Sequence, residues 1–267
     1  MNAMFMIIKE QVNNFYLMKR LSIYELKSAN NNNYLGMIWE VLNPLIQMSI
    51  YWFVFGLGIR GGQGVDGVPF VFWLSSGLVV WFFLNPAVMQ GTKSVYKRMN
   101  MVSKMNFPLS VIPSYVVLSV FYQHIILVGI VTVAFLLSGR GITWHYLQLP
   151  YYMIATIMLV FVIVLITSTL ATIVRDVQII VQAVMRMMLY ITPILWTPEK
   201  LPPLLQIVMK FNPFAYVVEG YRGAFLGTSW FYEKIAYACY FWGCVLVLFL
   251  IGAALHIKFR KYFVDYL

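Results

Sequence analysis

Six stretches of this chain are apolar enough and long enough to cross a lipid bilayer. A membrane-spanning helix needs about 20 mostly apolar residues. The runs that qualify are Met37–Ile59, Val68–Met89, Val111–Leu137, Pro150–Val174, Val177–Trp196 and Ala236–Ile257. Only Arg175 and Asp176 part the fourth from the fifth, which predicts a tight polar turn. The pattern therefore predicts an all-α polytopic membrane protein with six transmembrane helices.

Three further segments have patterns of their own. In Phe15–Lys27, Leu17, Met18, Leu21 and Tyr24 share a face opposite Lys19, Arg20 and Lys27, although Tyr16, Ile23 and Leu26 blur the division. This predicts an N-terminal amphipathic helix in the interface plane, or a charged loop anchored to headgroups. Ser94–Met105 is sharper: Val95, Met99 and Val102 recur on one face, and Lys97, Asn100 and Lys104 on another. Such a helix lies along the membrane surface and leaves one side for a partner. Thr197–Glu233 is too polar to span and too apolar for a free loop. Pro198, Pro202, Pro203 and Pro213 divide it, Leu201, Leu204, Leu205, Val208 and Met209 form a short stripe, and Gly220, Gly223 and Gly227 follow. Two short re-entrant helices between spans five and six fit this pattern, provided their backbone is buried in protein or lines a cavity. A folded extracellular cap is the alternative.

Composition agrees with the membrane reading. Hydrophobic residues make up 61% of the chain and charged ones 10%, against about 25% charged in soluble domains. The net charge of +10 is too dispersed for a nucleic-acid surface and suits contact with anionic lipid. No cleavable leader is expected in the first 36 residues. With both termini cytoplasmic, Lys9, Lys19, Arg20, Lys27, Lys93, Lys97, Arg98, Lys104, Arg175, Lys258, Arg260 and Lys261 fall inside. They outnumber Arg60, Arg140, Lys200, Lys210, Arg222 and Lys234 outside, as the positive-inside rule asks. Cys239 and Cys244 lie on different faces of one apolar run, so neither a disulfide nor a metal site is expected.

Polar residues at membrane depth face a bundle interior or a pathway. Glu40, Asn43, Gln47 and Tyr51 fall on one face of span one, and Gln178, Gln182 and Arg186 on one face of span five. Arg186 is ten residues past Asp176, about 15 Å deep. Both stripes read as the lining of a polar conduit, or as hydrogen-bonding glue between helices. His124 reads as a packing residue. Thr167, Ser168, Thr169 and Thr172 are expected to bond to their own helix backbone. Most tryptophans sit near span ends, as an aromatic belt would place them.

Several chemistries find no support. There is no phosphate-binding G-x-x-x-x-G-K-[ST], no H-E-x-x-H, no Cys/His cluster and no carboxylate pair at helical spacing inside a span. An intrinsic catalytic site, a metal and a bound cofactor are therefore not expected. Internal repeats typical of many secondary carriers are absent too.

The residues also carry a family resemblance over essentially the whole chain. Tyr34-Leu-Gly-Met-Ile-Trp-Glu-Val-Leu-Asn-Pro-Leu-Ile-Gln47, running into Tyr51-Trp-Phe-Val-Phe-Gly, resembles the first span of ABC-2 type export permeases, in the branch that exports polysaccharides. Val65-Asp-Gly-Val-Pro-Phe, the stretch Asn100–Ser110 and Asn212-Pro-Phe resemble the teichoic acid translocating members of that branch. Where many relatives carry a basic, Tyr-rich segment, this chain has Asn30–Asn33.

The resemblance implies an N-terminal interface segment, residues 1–36, and a transmembrane domain, residues 37–267. It implies two copies of this chain with two copies of an ATPase subunit that holds the ATP and magnesium. Loop 91–107 would be the coupling element, with Val95, Lys97, Met99, Asn100 and Lys104 at the ATPase. Segment 197–233 would be an outer gate marked by Pro202, Pro203 and Pro213. Spans one and five would line the conduit. The cargo would be a polyprenyl-diphosphate-linked teichoic acid in the plasma membrane of a Gram-positive bacterium. Lys19, Arg20 and Arg98 are candidates for its diphosphate. Another lipid-linked polysaccharide of O-antigen or capsule type, or a secondary carrier without an ATPase, are the alternatives.

Overall fold

The computed structural model describes residues 3–29, 34–99, 108–198, 202–260 and 263. Among them no β-strand occurs, only an isolated bridge between Val65 and Val68. The described residues form ten α-helices in order: α1 Ala3–Asn13, α2 Phe15–Ala29, α3 Trp39–Tyr51, α4 Phe70–Thr92, α5 Val111–Leu137, α6 Leu149–Ile173, α7 Val177–Ile191, α8 Pro203–Lys210, α9 Pro213–Leu226 and α10 Ile235–Phe259. Five helical stretches are long and apolar enough to cross a membrane: Gly36–Ile59, Phe70–Thr92, Val111–Leu137, Trp144–Ile173 and Phe231–Phe259.

The expected fifth span, Val177–Trp196, is shorter as a helix. α7 has 15 residues, about 22 Å at 1.5 Å per residue, against a hydrocarbon core of about 30 Å. Pro193 ends it. The residue before a proline is driven out of the helical region, and Thr192 has φ −72 and ψ 137. Thr192, Pro193, Ile194 and Leu195 then continue as buried turns.

α4 is the hub, packed against α5, α6, α7 and α9, while α6 lies along α10. Glycines permit the closest approaches. Gly91 of α4 faces Val164 of α6, where an added Cβ would meet Val164 Cγ1 at 2.5 Å. Gly220 of α9 faces the ring of Tyr152 on α6. Small residues at helix crossings are the usual device where lipid removes the hydrophobic drive.

α3 is different. It contains Pro44, buries no residue, and continues as a π-helix over Trp52–Ile59, the kind of widened turn that recurs at functional positions. α2 packs on α5 and α1 on α10. Gln11 donates to the Ser110 carbonyl at 2.9 Å, and Arg260 pairs with Glu10 at 2.7 Å. These bonds pin α1 to the end of the bundle that carries both termini. The sequence pattern did not resolve α1 as a separate helix.

At the far end, α9 has well-defined caps. The Asn212 side chain accepts from the Phe214 amide at 3.0 Å, and Pro213 fills the first turn. Gly227 closes the helix with φ 69, and the amides of Gly227 and Thr228 both reach the Gly223 carbonyl. α9 is buried along most of its length, whereas α8 buries no residue and exposes Leu204, Leu205, Ile207 and Val208.

Candidate functional site

The α3 stripe faces its own protomer. Glu40, Asn43 and Gln47 line a cleft of about 210 Å³ together with Trp81, Asn85 and Gln90 of α4 and Gln123 and His124 of α5. Tyr51 leaves this group. It packs against the core beside Phe55, ring centroids 6.4 Å apart. His124 is buried, its Nε2 2.7 Å from the Tyr221 hydroxyl and its ring stacked on Phe83, which is a packing role.

The α7 stripe is not brought to that cleft. Gln182 and Arg186 are exposed, and Arg186 Nε donates to the Gln182 carbonyl at 3.4 Å. Gln178 accepts a hydrogen bond from the Tyr96 hydroxyl. Only Met185 and Leu189 of this helix are buried, so most of its faces lack a partner within the protomer.

At the end carrying the termini, residues 94–99 form a compact turn around a 3-10 segment, Tyr96–Arg98. Val95 and Met99 are buried with Val111, Ile112, Tyr115, Val116 and Phe263. They anchor the segment to α5 and leave Lys97 as its exposed cation. The apolar face thus serves the chain's own core, not an outside partner. Asn100 and Lys104 lie outside the described residues. Burial raises the Tyr96 hydroxyl above the usual tyrosine range, with Arg175 pulling the other way.

Lys19 and Arg20 are exposed on α2. Arg98 is not a free cation. It pairs with Glu25, donates to the Ser94 carbonyl at 3.1 Å and lies 5.4 Å from the Tyr115 ring centroid. A guanidinium held this way braces α2 against the 94–99 turn.

At the far end, Pro202 and Pro203 open α8 and Pro213 opens α9. Arg222 of α9 is the residue that sequence reasoning missed, having counted it as a loop charge. Its Nη1 donates to the Pro193 carbonyl at 2.9 Å and its Nη2 to the Ile194 carbonyl at 3.2 Å. Its guanidinium stacks 3.6 Å from the Trp73 ring centroid. A cation at the carboxyl end of α7 also suits that helix's dipole. One side chain therefore ties α9 to α4 and to the break after α7. Its sequence signal was its place between the Pro213 start and the Gly227 stop, three residues after Glu219. Asn85, Gln90 and Gln123 were missed as well, because they form no periodic stripe in α4 or α5 and only the packing brings them together.

Comparison with known proteins follows from this layout. Residues 16–226, from α2 to the end of α9, match the family model described as ABC-2 type transporter. Similar curated proteins include an O-antigen export system permease protein RfbA from Klebsiella pneumoniae, 27% identical over 267 residues, 98% of this chain and 100% of the relative. An RfbA of the same description from Myxococcus xanthus is 24% identical over 203 residues, 75% of this chain and 76% of the relative. With the family model covering most of its length and five helices fit to span a bilayer, this multi-pass plasma-membrane protein belongs to the ABC-2 type transporter family.

Proposed function

We propose that the chain is the membrane subunit of an ABC exporter that moves a lipid-linked polysaccharide, of the O-antigen kind, from the cytoplasm to the outer face. The observation that carries this reading is the family match from α2 through α9, together with similar proteins named for O-antigen export. The teichoic acid expectation rested chiefly on Asn100–Ser110, and it becomes the second cargo to test.

In this reading both termini are cytoplasmic, and a separate ATPase subunit docks at Lys97 and the residues that follow, Asn100 and Lys104 included. Two copies of the chain face each other across α3, which buries no residue, and α7, which buries two. Arg186 and Gln182 then line the passage between copies. Lys19 and Arg20 receive the carrier's diphosphate at the cytoplasmic interface through charge-assisted hydrogen bonds. α8 and α9 form the outer gate. The chain supplies no chemistry of its own, and ATP hydrolysis on the partner drives the movement.

The test is ATP hydrolysis by the chain co-reconstituted with its ATPase, with lipid-linked O-antigen-type or teichoic acid precursor added. Stimulation by the first and not the second supports the reading, and the reverse result replaces the cargo. Absence of any association with an ATPase would sink the exporter assignment. Arg186→Gln should lower export while leaving the assembly intact. Loss of assembly instead would make Arg186 a structural residue.

A further inference from the structure

The cleft between α3, α4 and α5 has a composition that neither helix packing nor the passage between copies requires. Five carboxamides converge on it from three helices: Asn43 and Gln47, Asn85 and Gln90, and Gln123. Among the described residues, none of these five side chains has a hydrogen-bonding partner within the protomer. Polar side chains at membrane depth are costly and face a partner or a pathway. Here five open donor–acceptor pairs line a single cleft, with Asn43, Gln47 and Gln90 exposed and Asn85 and Gln123 half-buried.

The depth of that space follows from helix register. Glu40 and Gln47 lie seven residues apart on α3, about 10 Å. Gln90 is near the terminal end of α4, whereas Trp81 is near its middle. The cleft therefore runs from the end carrying both termini toward the middle of the bundle. Its volume of about 210 Å³ equals about seven water molecules at ~30 Å³ each. That is room for one pyranose ring and falls short of the ~300 Å³ at which drug-sized sites begin.

The chemistry selects among ligands. Among the described residues no Lys or Arg lines the cleft and most of its polar groups are uncharged carboxamides, so nothing there is suited to hold a phosphate. A sugar hydroxyl both donates and accepts, and a carboxamide offers both functions on adjacent atoms. Trp81 adds an aromatic wall.

We infer that each protomer carries its own binding site for an uncharged sugar of the cargo, in the α3–α4–α5 cleft and apart from the passage between copies. This rests on the exporter reading above. Sugar and diphosphate are then held at different places, the ring in the cleft and the phosphates at the basic interface.

The test uses the full permease–ATPase complex in nanodiscs and two probes, a polyprenyl-diphosphate-linked oligosaccharide and the bare polyprenyl diphosphate. The double variant N85L/Q123M keeps the side-chain volumes and removes four hydrogen-bonding groups. It should weaken the glycosylated probe about tenfold or more and leave the bare carrier unchanged. Equal affinity of the variant for the glycosylated probe, or an equal loss for both probes, overturns the site. A wild-type complex that binds neither probe overturns the exporter reading itself. Should the double variant not assemble, Gln123→Cys with Cys239 and Cys244 replaced by serine gives the answer by thiol labelling. Protection by the glycosylated probe, and not by the bare carrier, supports the site. Failure to label before any probe is added, or no protection, overturns it.

Discussion

Gly220→Ala is a small change that should disturb the half of the molecule away from the termini. A Cβ built on Gly220 would stand 2.0 Å from Tyr152 Cε1 and 2.3 Å from its Cδ1 and Cζ. Carbon atoms in good contact are about 3.5–4.0 Å apart, so α9 or the ring must give way by roughly 1.5 Å. The ring has little freedom. Tyr151, Tyr216 and Tyr221 surround it at centroid distances of 5.1, 5.8 and 6.4 Å. Overpacking of this kind costs about 1–3 kcal/mol and occasionally more. Replacing glycine in a helix by alanine returns at most about 1 kcal/mol.

The net effect is a loss of up to about 2 kcal/mol, read as a fall in Tm of up to roughly 8 °C for a chain of this size. The assay is thermal loss of the monodisperse species in detergent. Gly243→Ala is the internal control. Nothing lies within 4 Å of a Cβ added there, so only the helical gain remains and Tm should hold or rise. Tyr152→Ala is costly by itself, about 3–5 kcal/mol as for other large aromatics. Gly220→Ala added to that background should cost nothing further, because the clash is gone. Equal Tm for Gly220→Ala and Gly243→Ala would refute the argument, since it would mean that α9 is not seated on the Tyr152 ring.

Two other substitutions probe the ties described above. Arg222→Lys keeps the charge but loses the planar fork to the Pro193 and Ile194 carbonyls and the stack on Trp73. It should cost about 1.5–3 kcal/mol in the same thermal assay, and an unchanged Tm would show the clamp to be idle. Lys97→Glu and Met99→Ala should separate two roles within one segment. The first weakens association with the ATPase in a pull-down and leaves permease stability alone. The second destabilises the permease by about 2–5 kcal/mol, since Met99 is buried; the opposite pattern would reverse the assignment.

Which features could be read from the sequence follows from their physics. Spans were legible because apolar run length against bilayer thickness needs no tertiary information. α9 was legible in outline because Pro213 and Gly227 are local start and stop signals. The shortening of α7 was also local, since Pro193 stands inside the apolar run, but hydropathy alone read through it to Trp196. The α3 stripe was seen as one face, yet its partners were not, because Asn85, Gln90 and Gln123 are single residues without periodicity. Of the amphipathic pattern of 94–105, the described residues are Val95 and Met99, which are buried, and Lys97, which is exposed. Which face meets a partner depended on α2 and α5, and the packing turned Val95 and Met99 inward. Arg222 could only be valued once α4, α7 and α9 were in place.

Burial divides the helices into a frame and two loosely held walls. α4, α6 and α9 bury residues on most of their faces, α7 buries two, and α3 buries none. Helices with so few buried apolar groups cost little to displace, so α3 and α7, with the short α8, are the elements that yield most easily. The 94–99 turn grips α5 through Val95 and Met99, a packed contact, but reaches α7 through the Tyr96 hydroxyl on Gln178. Packing ties the turn to α5, and among the described residues the Tyr96–Gln178 hydrogen bond links it to α7. Tyr96→Phe removes the bond and keeps the ring. Its cost to stability is at most about 0.5–1.5 kcal/mol, a small Tm change, and ATPase association through Lys97 is untouched. If this bond couples the turn to α7, glycan export falls while assembly, stability and basal ATP hydrolysis persist. Normal export by Tyr96→Phe would move the coupling to the packed contact with α5 and make α5, not α7, the first helix to respond.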